Sequence, residues 1–265
     1  MATNPLRVLT HLAARLRREG VVATLFQVAA RLRLEGITRD VVRRYGMAVR
    51  SGPFRGMMLP MHNNQGWGSG SLLTCILGCF EEELHASVLK AVGRGPTRVV
   101  NIGCSGGYYA VGFARLLPEA EIFAYDIDPS AQAICQVAAS ANGVADRVRV
   151  AGECSSAILR ELVEQPGRTL VVMDCEGAEA GLLDNPTAAA LAHADLIVEC
   201  HDFVVPGVTD VLSGRLARDH TVERFVEAAR DPYRYPEIAE LQGLERMLGV
   251  WEVRTEKTTW LAAWS

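Results

Sequence analysis

Short apolar runs alternate with amphipathic stretches from residue 98 to residue 216. The runs at 98–103, 121–126, 147–151, 169–174 and 195–200 have the length and continuity of strands buried on both faces. The segments 107–117, 130–141, 155–164, 178–184 and 207–216 place apolar residues at helical spacing. Strand alternating with helix predicts a parallel sheet covered on both faces. Two further strands fit 221–226 and 258–264, with the Pro-containing stretch 231–236 in the connection between them. No internal repeat is present.

The first eighty residues follow another pattern. Leu6, Leu9, Leu12 and Leu16 recur at helical spacing, and a second run over 21–34 is bounded by Gly20 and Gly36. Two short helices are predicted, the second ending at its flanking glycine. Residues 51–56 and 63–70 are loop-rich, with Met57, Met58, Leu59 and Met61 between them as a short strand. Such loops, carrying Trp67, are placed either to fold over the mouth of the following domain or to form a plain linker. A helix over 81–92 would begin with an acidic first turn, as the helix dipole favours. The chain therefore divides into an N-terminal helical extension with cap loops, 1–80, and an α/β domain, 81–265.

Composition narrows the class. Hydrophobic residues make up 49% and charged residues 22% of the 265 positions, a globular balance. The net charge of −4 is uneven: residues 1–50 hold ten arginines against Glu19, Glu35 and Asp40, and the remainder is acidic. Packing as a cap or dimer arm suits this basic segment, making a homo-oligomer an expectation. An acidic membrane surface, an acidic partner or a mitochondrial targeting segment are the other readings. The arginines lack interleaved aromatics, so nucleic acid is not expected. No run of 18 apolar residues predicts a transmembrane segment. The seven cysteines contain no Cys-x-x-Cys. Cys104, Cys135, Cys154, Cys175 and Cys200 fall in or beside predicted core elements, while Cys75 and Cys79 lie four apart, as on one helical face. This usage fits a reducing, cytoplasmic compartment.

The chemistry begins at Val99-Val100-Asn101-Ile102-Gly103-Cys104-Ser105-Gly106-Gly107-Tyr108-Tyr109. An apolar run, a glycine-dense turn and a helical run make the first unit of a nucleotide-binding α/β sheet. Asp126, twenty residues beyond Gly106, ends the second strand, where an acid hydrogen-bonds a ribose. The two features point to an adenosine-containing ligand across the strand tips. Ser105 stands where the dinucleotide turn needs its second glycine, and no Gly-Lys-Ser/Thr follows, so a ligand without phosphates fits better.

This segment resembles motif I of class I S-adenosylmethionine (SAM) methyltransferases. The resemblance implies a Rossmann-like, doubly wound sheet of seven strands, the seventh antiparallel between the fifth and sixth. It also implies a SAM site at Asn101, Gly103, Cys104, Ser105, Gly106, Asp126 and Ile127, with Glu153 near the adenine edge and Asp174 near the amino-acid end. Asn101 departs from the acid usual at its position. One ring of Tyr108 or Tyr109 would face the sulfonium, or both would pack against the sheet.

The fourth and fifth predicted strands end in Asp174-Cys175-Glu176-Gly177-Ala178-Glu179 and Glu199-Cys200-His201. The first string resembles the Asp-x-Glu-Gly-Ala-Glu motif of FkbM-type methyltransferases, many of which act on oxygen, and Glu-x-His is similar to that family's next motif. The resemblance covers residues 96–205. Carboxylates and imidazole so close repel or share protons unless something neutralises them. A divalent metal, Mg²⁺ or Mn²⁺, on Asp174, Glu199 and His201 would do so. The alternative is that Glu176 caps the next helix, Glu179 faces solvent and Asp174 holds the SAM amino group or the acceptor. The same three residues are the catalytic candidates, with His201 as general base. The expected function is methylation of a hydroxyl on a small molecule or glycan. A non-catalytic SAM-fold module and an NAD-type oxidoreductase are the rival classes.

Overall fold

The computed structural model describes residues 20–60, 71–254 and 256–265. In chain order the elements are α1 (Val21–Tyr45), α2 (Ser71–Leu77), a 3₁₀ turn (Glu82–Leu84), α3 (His85–Gly93), β1 (Arg98–Ile102), α4 (Tyr108–Leu116), β2 (Glu121–Tyr125) and α5 (Pro129–Ala141). They continue with β3 (Val148–Ala151), α6 (Ser156–Glu164), β4 (Thr169–Met173), α7 (Glu179–Leu182), α8 (Asn185–Ala190) and β5 (Asp195–Cys200). The last are α9 (Val208–Leu216), β6 (Thr221–Val226), α10 (Leu244–Gly249) and β7 (Thr259–Trp264).

The strands form one sheet in the order β3-β2-β1-β4-β5-β7-β6. Pairings are parallel from β3 to β5, whereas β7 runs antiparallel to both β5 and β6. This is the seven-stranded class I methyltransferase sheet that the motif I resemblance implied. Strands β1, β4 and β5 are buried at every position, as their largely apolar runs require for a sheet with helices on both faces, with Arg98, Asn101, Asp195 and Glu199 as buried polar exceptions. Successive side chains feed two cores. Val99, Ile122 and Trp260 pack with α1, α2 and α4 on one face, while Val100, Val171 and Leu196 pack with α6 and α9 on the other. The chain reverses its direction of winding between β1 and β4, so the crevice at their carboxyl ends is the expected ligand position.

Several sequence expectations change. Gly36 does not end a helix, because α1 continues through it to Tyr45. Leu34, Ile37 and Val41 are buried on one side of α1, and this packing outweighs the roughly 1 kcal/mol helix penalty of one glycine. The helix expected at 81–92 starts four residues later at His85, after the 3₁₀ turn. The strand expected near Met57 is a single bridge, Ala48 to Met58. The segment around it is no plain linker, since Phe54 packs edge-on against Tyr108. Cys75 lies in α2 and Cys79 beyond its end, so they do not share a helical face, although both are buried. The helix expected at 178–184 is interrupted, and Asp184 caps α8 by accepting the N–H of Thr187. Leu6, Leu9, Leu12 and Leu16, and the loop 61–70 with Trp67, lie outside the described residues.

The basic segment finds acidic partners in its own chain. Arg33 pairs with Glu245 at 2.6 Å, Arg44 with Glu240 at 2.5 Å and Arg50 with Glu237 at 3.0 Å. These contacts pin α1 and its following turn to the connection between β6 and β7. No helix among the described residues is long and apolar enough to cross a membrane.

Candidate active site

The carboxyl ends of β1 and β2 shape the first half of the site. Gly103 leaves β1 with φ +75°, and a Cβ there would lie 1.5 Å from the carbonyl oxygen of Asp174. Only glycine lets the turn pass so close to β4. Ser105 follows with φ +45°, exposed at the tip of the turn, with Cys104 and Gly106 buried beside it. The Asp126 carboxylate organises this edge: Oδ2 accepts the N–H of Ser105 at 2.8 Å and Oδ1 that of Asp128 at 2.9 Å. A carboxylate has about four lone-pair sites, so capacity remains for a ribose. Ile127 beside it is an apolar side chain 81% exposed among the described residues. Asn101 is buried, and its amide nitrogen donates to Val172 O at 3.3 Å while Oδ1 has no partner. Glu153 is exposed beyond β3.

Tyr108 and Tyr109 are enclosed by other rings. Tyr108 packs edge-on against Phe54 and Phe80, and Tyr109 stacks on Phe113 and lies tilted against Trp260. The Tyr109 hydroxyl donates to Glu81. Glu81 is therefore not the solvated first-turn acid of a helix. It is buried, in the left-handed region at φ +49°.

The ends of β4 and β5 shape the second half. Glu176 takes φ +55° and Gly177 φ +106°, which turns the chain sharply after Asp174. A Cβ on Gly177 would meet Val204 at 2.7 Å. The turn sends Glu179 inward, where it is fully buried, contrary to a solvent-facing reading. Its Oε1 accepts the N–H of Gly177 at 3.0 Å and lies 2.7 Å from Nδ1 of His201, which is 3% exposed. With Nδ1 fixed, Nε2 points at carboxylates: Asp174 Oδ1 at 3.6 Å, Glu176 Oε2 at 3.6 Å and Glu199 Oε2 at 3.8 Å. Asp174, Glu176 and His201 each present a ligand atom, all within 4.8 Å of one another. Glu176 joins this group although it was not among the residues expected to hold a metal, and the expected Glu199 lies beside it with its other oxygen held by Arg254.

Charge is concentrated here. Burial, then the charges of Glu199 and Glu81, push the Asp174 carboxyl well above its usual range. Burial and the charge of Glu199 likewise raise Glu81. Burial lowers His201, but the Glu179 bond and the charges of Glu199 and Glu179 outweigh it, and the imidazole is raised. The groups enclose a cleft of about 300 Å³ that also meets Phe80, Glu252 and Arg254. Glu81, Glu252 and Arg254 went unrecognised in the sequence because they belong to no motif, and they meet only through long-range packing.

No protein-family model matches the sequence, and no curated protein does. Among solved structures, the O-methyltransferase TomG from Streptomyces achromogenes, involved in tomaymycin synthesis and in complex with SAM, aligns at 16% identity and TM-score 0.45, covering 88% of this chain and 90% of that one. The SAH-bound methyltransferase PaMTH1 of Podospora anserina aligns at 17% identity and TM-score 0.42, covering 68% and 77%. A precorrin-6y C5,15-methyltransferase from Geobacter metallireducens aligns at 12% identity and TM-score 0.44, covering 68% and 88%.

Proposed function

We propose that the chain is a SAM-dependent methyltransferase acting on a hydroxyl of a small molecule or glycan, with a divalent cation held by Asp174, Glu176 and His201. The observation that carries this reading is His201. A buried carboxylate grips its Nδ1, and Nε2 faces three carboxylates, of Asp174, Glu176 and Glu199, at distances too long for hydrogen bonds. A metal-ligating histidine characteristically bonds a carboxylate through its other nitrogen, which fixes ring and tautomer. Imidazole with carboxylates suits Mg²⁺ or Mn²⁺. FkbM-type character rests on the two strand-tip strings that supply these side chains.

SAM would lie across the tips of β1 and β2. Asp126 would take the ribose hydroxyls, Ile127 would cover one face of the adenine, and Asn101 Oδ1 would offer the methionine amino group an acceptor. The reaction is an in-line displacement in which the hydroxyl oxygen bonds the methyl carbon as the carbon–sulfur bond breaks. The protein's main task is to hold the three atoms collinear. A bound cation would raise the acidity of the hydroxyl, and its proton would pass to a carboxylate of the cleft. Glu81, Asp174, Glu176, Glu199, Glu252 and Glu256 line that cleft, and all three nitrogens of Arg254 are committed to carboxylates. The acceptor is accordingly uncharged or cationic. The half-buried Asp174 and the exposed Glu176 and Glu256 open this cleft to the outside, which favours an enzyme over a binding module.

Titration calorimetry with S-adenosylhomocysteine (SAH), NAD and MnCl₂ tests the reading. SAH should bind, and Asp126→Ala should weaken it by about 1.5–3 kcal/mol, the range for hydrogen bonds to a charged group. Mn²⁺ should bind the wild type and not His201→Ala. Binding of NAD in place of SAH would move the protein to the oxidoreductases. Binding of SAH without Mn²⁺ would leave His201 as a metal-free general base, whose loss should lower turnover about 10²–10⁴-fold.

A further inference from the structure

Arg254 lies between α10 and β7, and its guanidinium serves three different glutamates. Nε donates to Glu252 Oε2 at 2.9 Å, Nη1 to Glu199 Oε1 and Nη2 to Glu81 Oε1. Nη1 also reaches Thr258 Oγ1 at 2.9 Å. All three carboxylates are buried. Two of them have further partners. Glu81 accepts the Tyr109 hydroxyl, and Glu252 accepts Arg230 and the Glu81 N–H. Glu199 borders the site itself: one oxygen is held by Arg254, its carboxyl bonds that of Asp174, and its other oxygen lies 3.8 Å from His201 Nε2, the atom that Asp174 and Glu176 approach to 3.6 Å.

The backbone on both sides of this clasp is strained. Val253, next to Arg254, has φ +59°, and Glu81 has φ +49°. A β-branched residue in the left-handed region is an outlier that persists only where surrounding contacts over-determine it. On the other side Glu199 is fixed in register opposite Trp260, so its carboxylate can move only by side-chain rotation.

We infer that Arg254 is a positioning residue that holds Glu199 back from the His201 cluster, so that three protein groups rather than four face the cation. The inference rests on the proposed function, since it needs a cation at Asp174, Glu176 and His201. Its purpose follows from the chemistry of a catalytic Mg²⁺ or Mn²⁺, which keeps several positions for water and substrate, so that each added carboxylate takes one of them and reduces the positive charge that would act on the acceptor. Releasing Glu199 would fill the space beside His201 that the acceptor needs.

The test is Mn²⁺ affinity, measured by calorimetry on the full chain, with SAH binding as the check of folding. Arg254→Met should bind Mn²⁺ at least tenfold more tightly than wild type, because Glu199 becomes free to join. Arg254→Met combined with Glu199→Gln should return near the wild-type affinity, whereas Arg254→Met combined with Glu252→Gln, which restores the same net charge but leaves Glu199 free, should keep the gain; loss of the gain in both double variants would reduce the effect to charge alone and overturn the inference. Arg254→Lys keeps the charge but cannot span three carboxylates, and should gain about threefold. If Arg254→Met fails to bind SAH, Arg254→Lys with and without Glu199→Gln carries the test. Unchanged or weaker Mn²⁺ binding in the folded variants overturns the inference. So does a gain that survives Glu199→Gln, or a double variant falling well below wild type, which would make Glu199 a ligand already. A wild type that binds no Mn²⁺ removes the cation reading itself, and this inference with it.

Discussion

Glu179 acts by facing inward. A carboxylate buried beside an imidazole, with the N–H of Gly177 also aimed at it, has little to do except hold that ring. Burial alone would raise its carboxyl, but the bonds to His201 and Gly177 outweigh this and hold it below the usual range. Glu179→Gln keeps the volume and removes the charge. Mn²⁺ affinity should then fall about 10–100-fold, the usual cost of losing a partner behind a metal ligand. The His201 titration followed by NMR should move down at the same time, because the Glu179 charge that helps to raise it is gone and the amide oxygen left in its place is a weaker acceptor. A variant with wild-type Mn²⁺ affinity and an unmoved His201 titration would reduce Glu179 to a packing role.

At the level of elements, α1 shows how packing overrides local signals. Its C-terminal half is anchored by Leu34, Ile37 and Val41, which belong to the same core as Val99, Phe113 and Trp260. Leu34→Ala should therefore cost about 2–5 kcal/mol in a urea melt, as for other buried leucines. A loss under about 0.5 kcal/mol, typical of surface positions, would show that α1 is only laid on the domain. The central strands were legible because a strand buried on both faces is apolar at most positions, as the Val, Leu and Ile runs of β1, β4 and β5 are. The end of α1 was not, because Gly36 reads as a stop unless the packing of Leu34 and Ile37 around it is known. The strings at 174–179 and 199–201 announced a dense polar site. Their spacing could not show that a left-handed Glu176 would turn Glu179 inward and leave Glu176 at the mouth, 81% exposed on its side chain. Glu81 reads as a favourable first-turn acid in sequence, yet its partner Arg254 lies 173 positions away. No local pattern encodes a contact of that range.

Across the whole molecule, the site stores a negative charge that folding has to tolerate. Asp174, Glu81 and His201 are all raised, so each binds its proton more tightly in the folded chain than in the unfolded one. Stability falls with rising pH wherever the folded state holds more protons. For His201 the contribution is complete below its unfolded pKa, near 6.5, and is lost as pH climbs through the higher folded value. The two raised carboxyls act in the same direction once pH exceeds their unfolded values, near 4. Two groups have the opposite sign: the lowered carboxyl of Glu179 titrates below that region, and His85, lowered by burial, adds stability only up to its unfolded value near 6.5, whereas His201, Asp174 and Glu81 go on losing it above. The metal-free protein should therefore melt at a lower temperature at pH 8 than at pH 6. Saturating Mn²⁺ should reverse the trend, because the ion replaces protons on the same groups and binds more tightly as they leave. Calorimetry in two buffers of different ionisation enthalpy should register at least one proton released per Mn²⁺ near pH 7. A melting temperature that rises from pH 6 to 8 without metal, or Mn²⁺ binding that is independent of pH, would mean that these three groups do not share one electrostatic site.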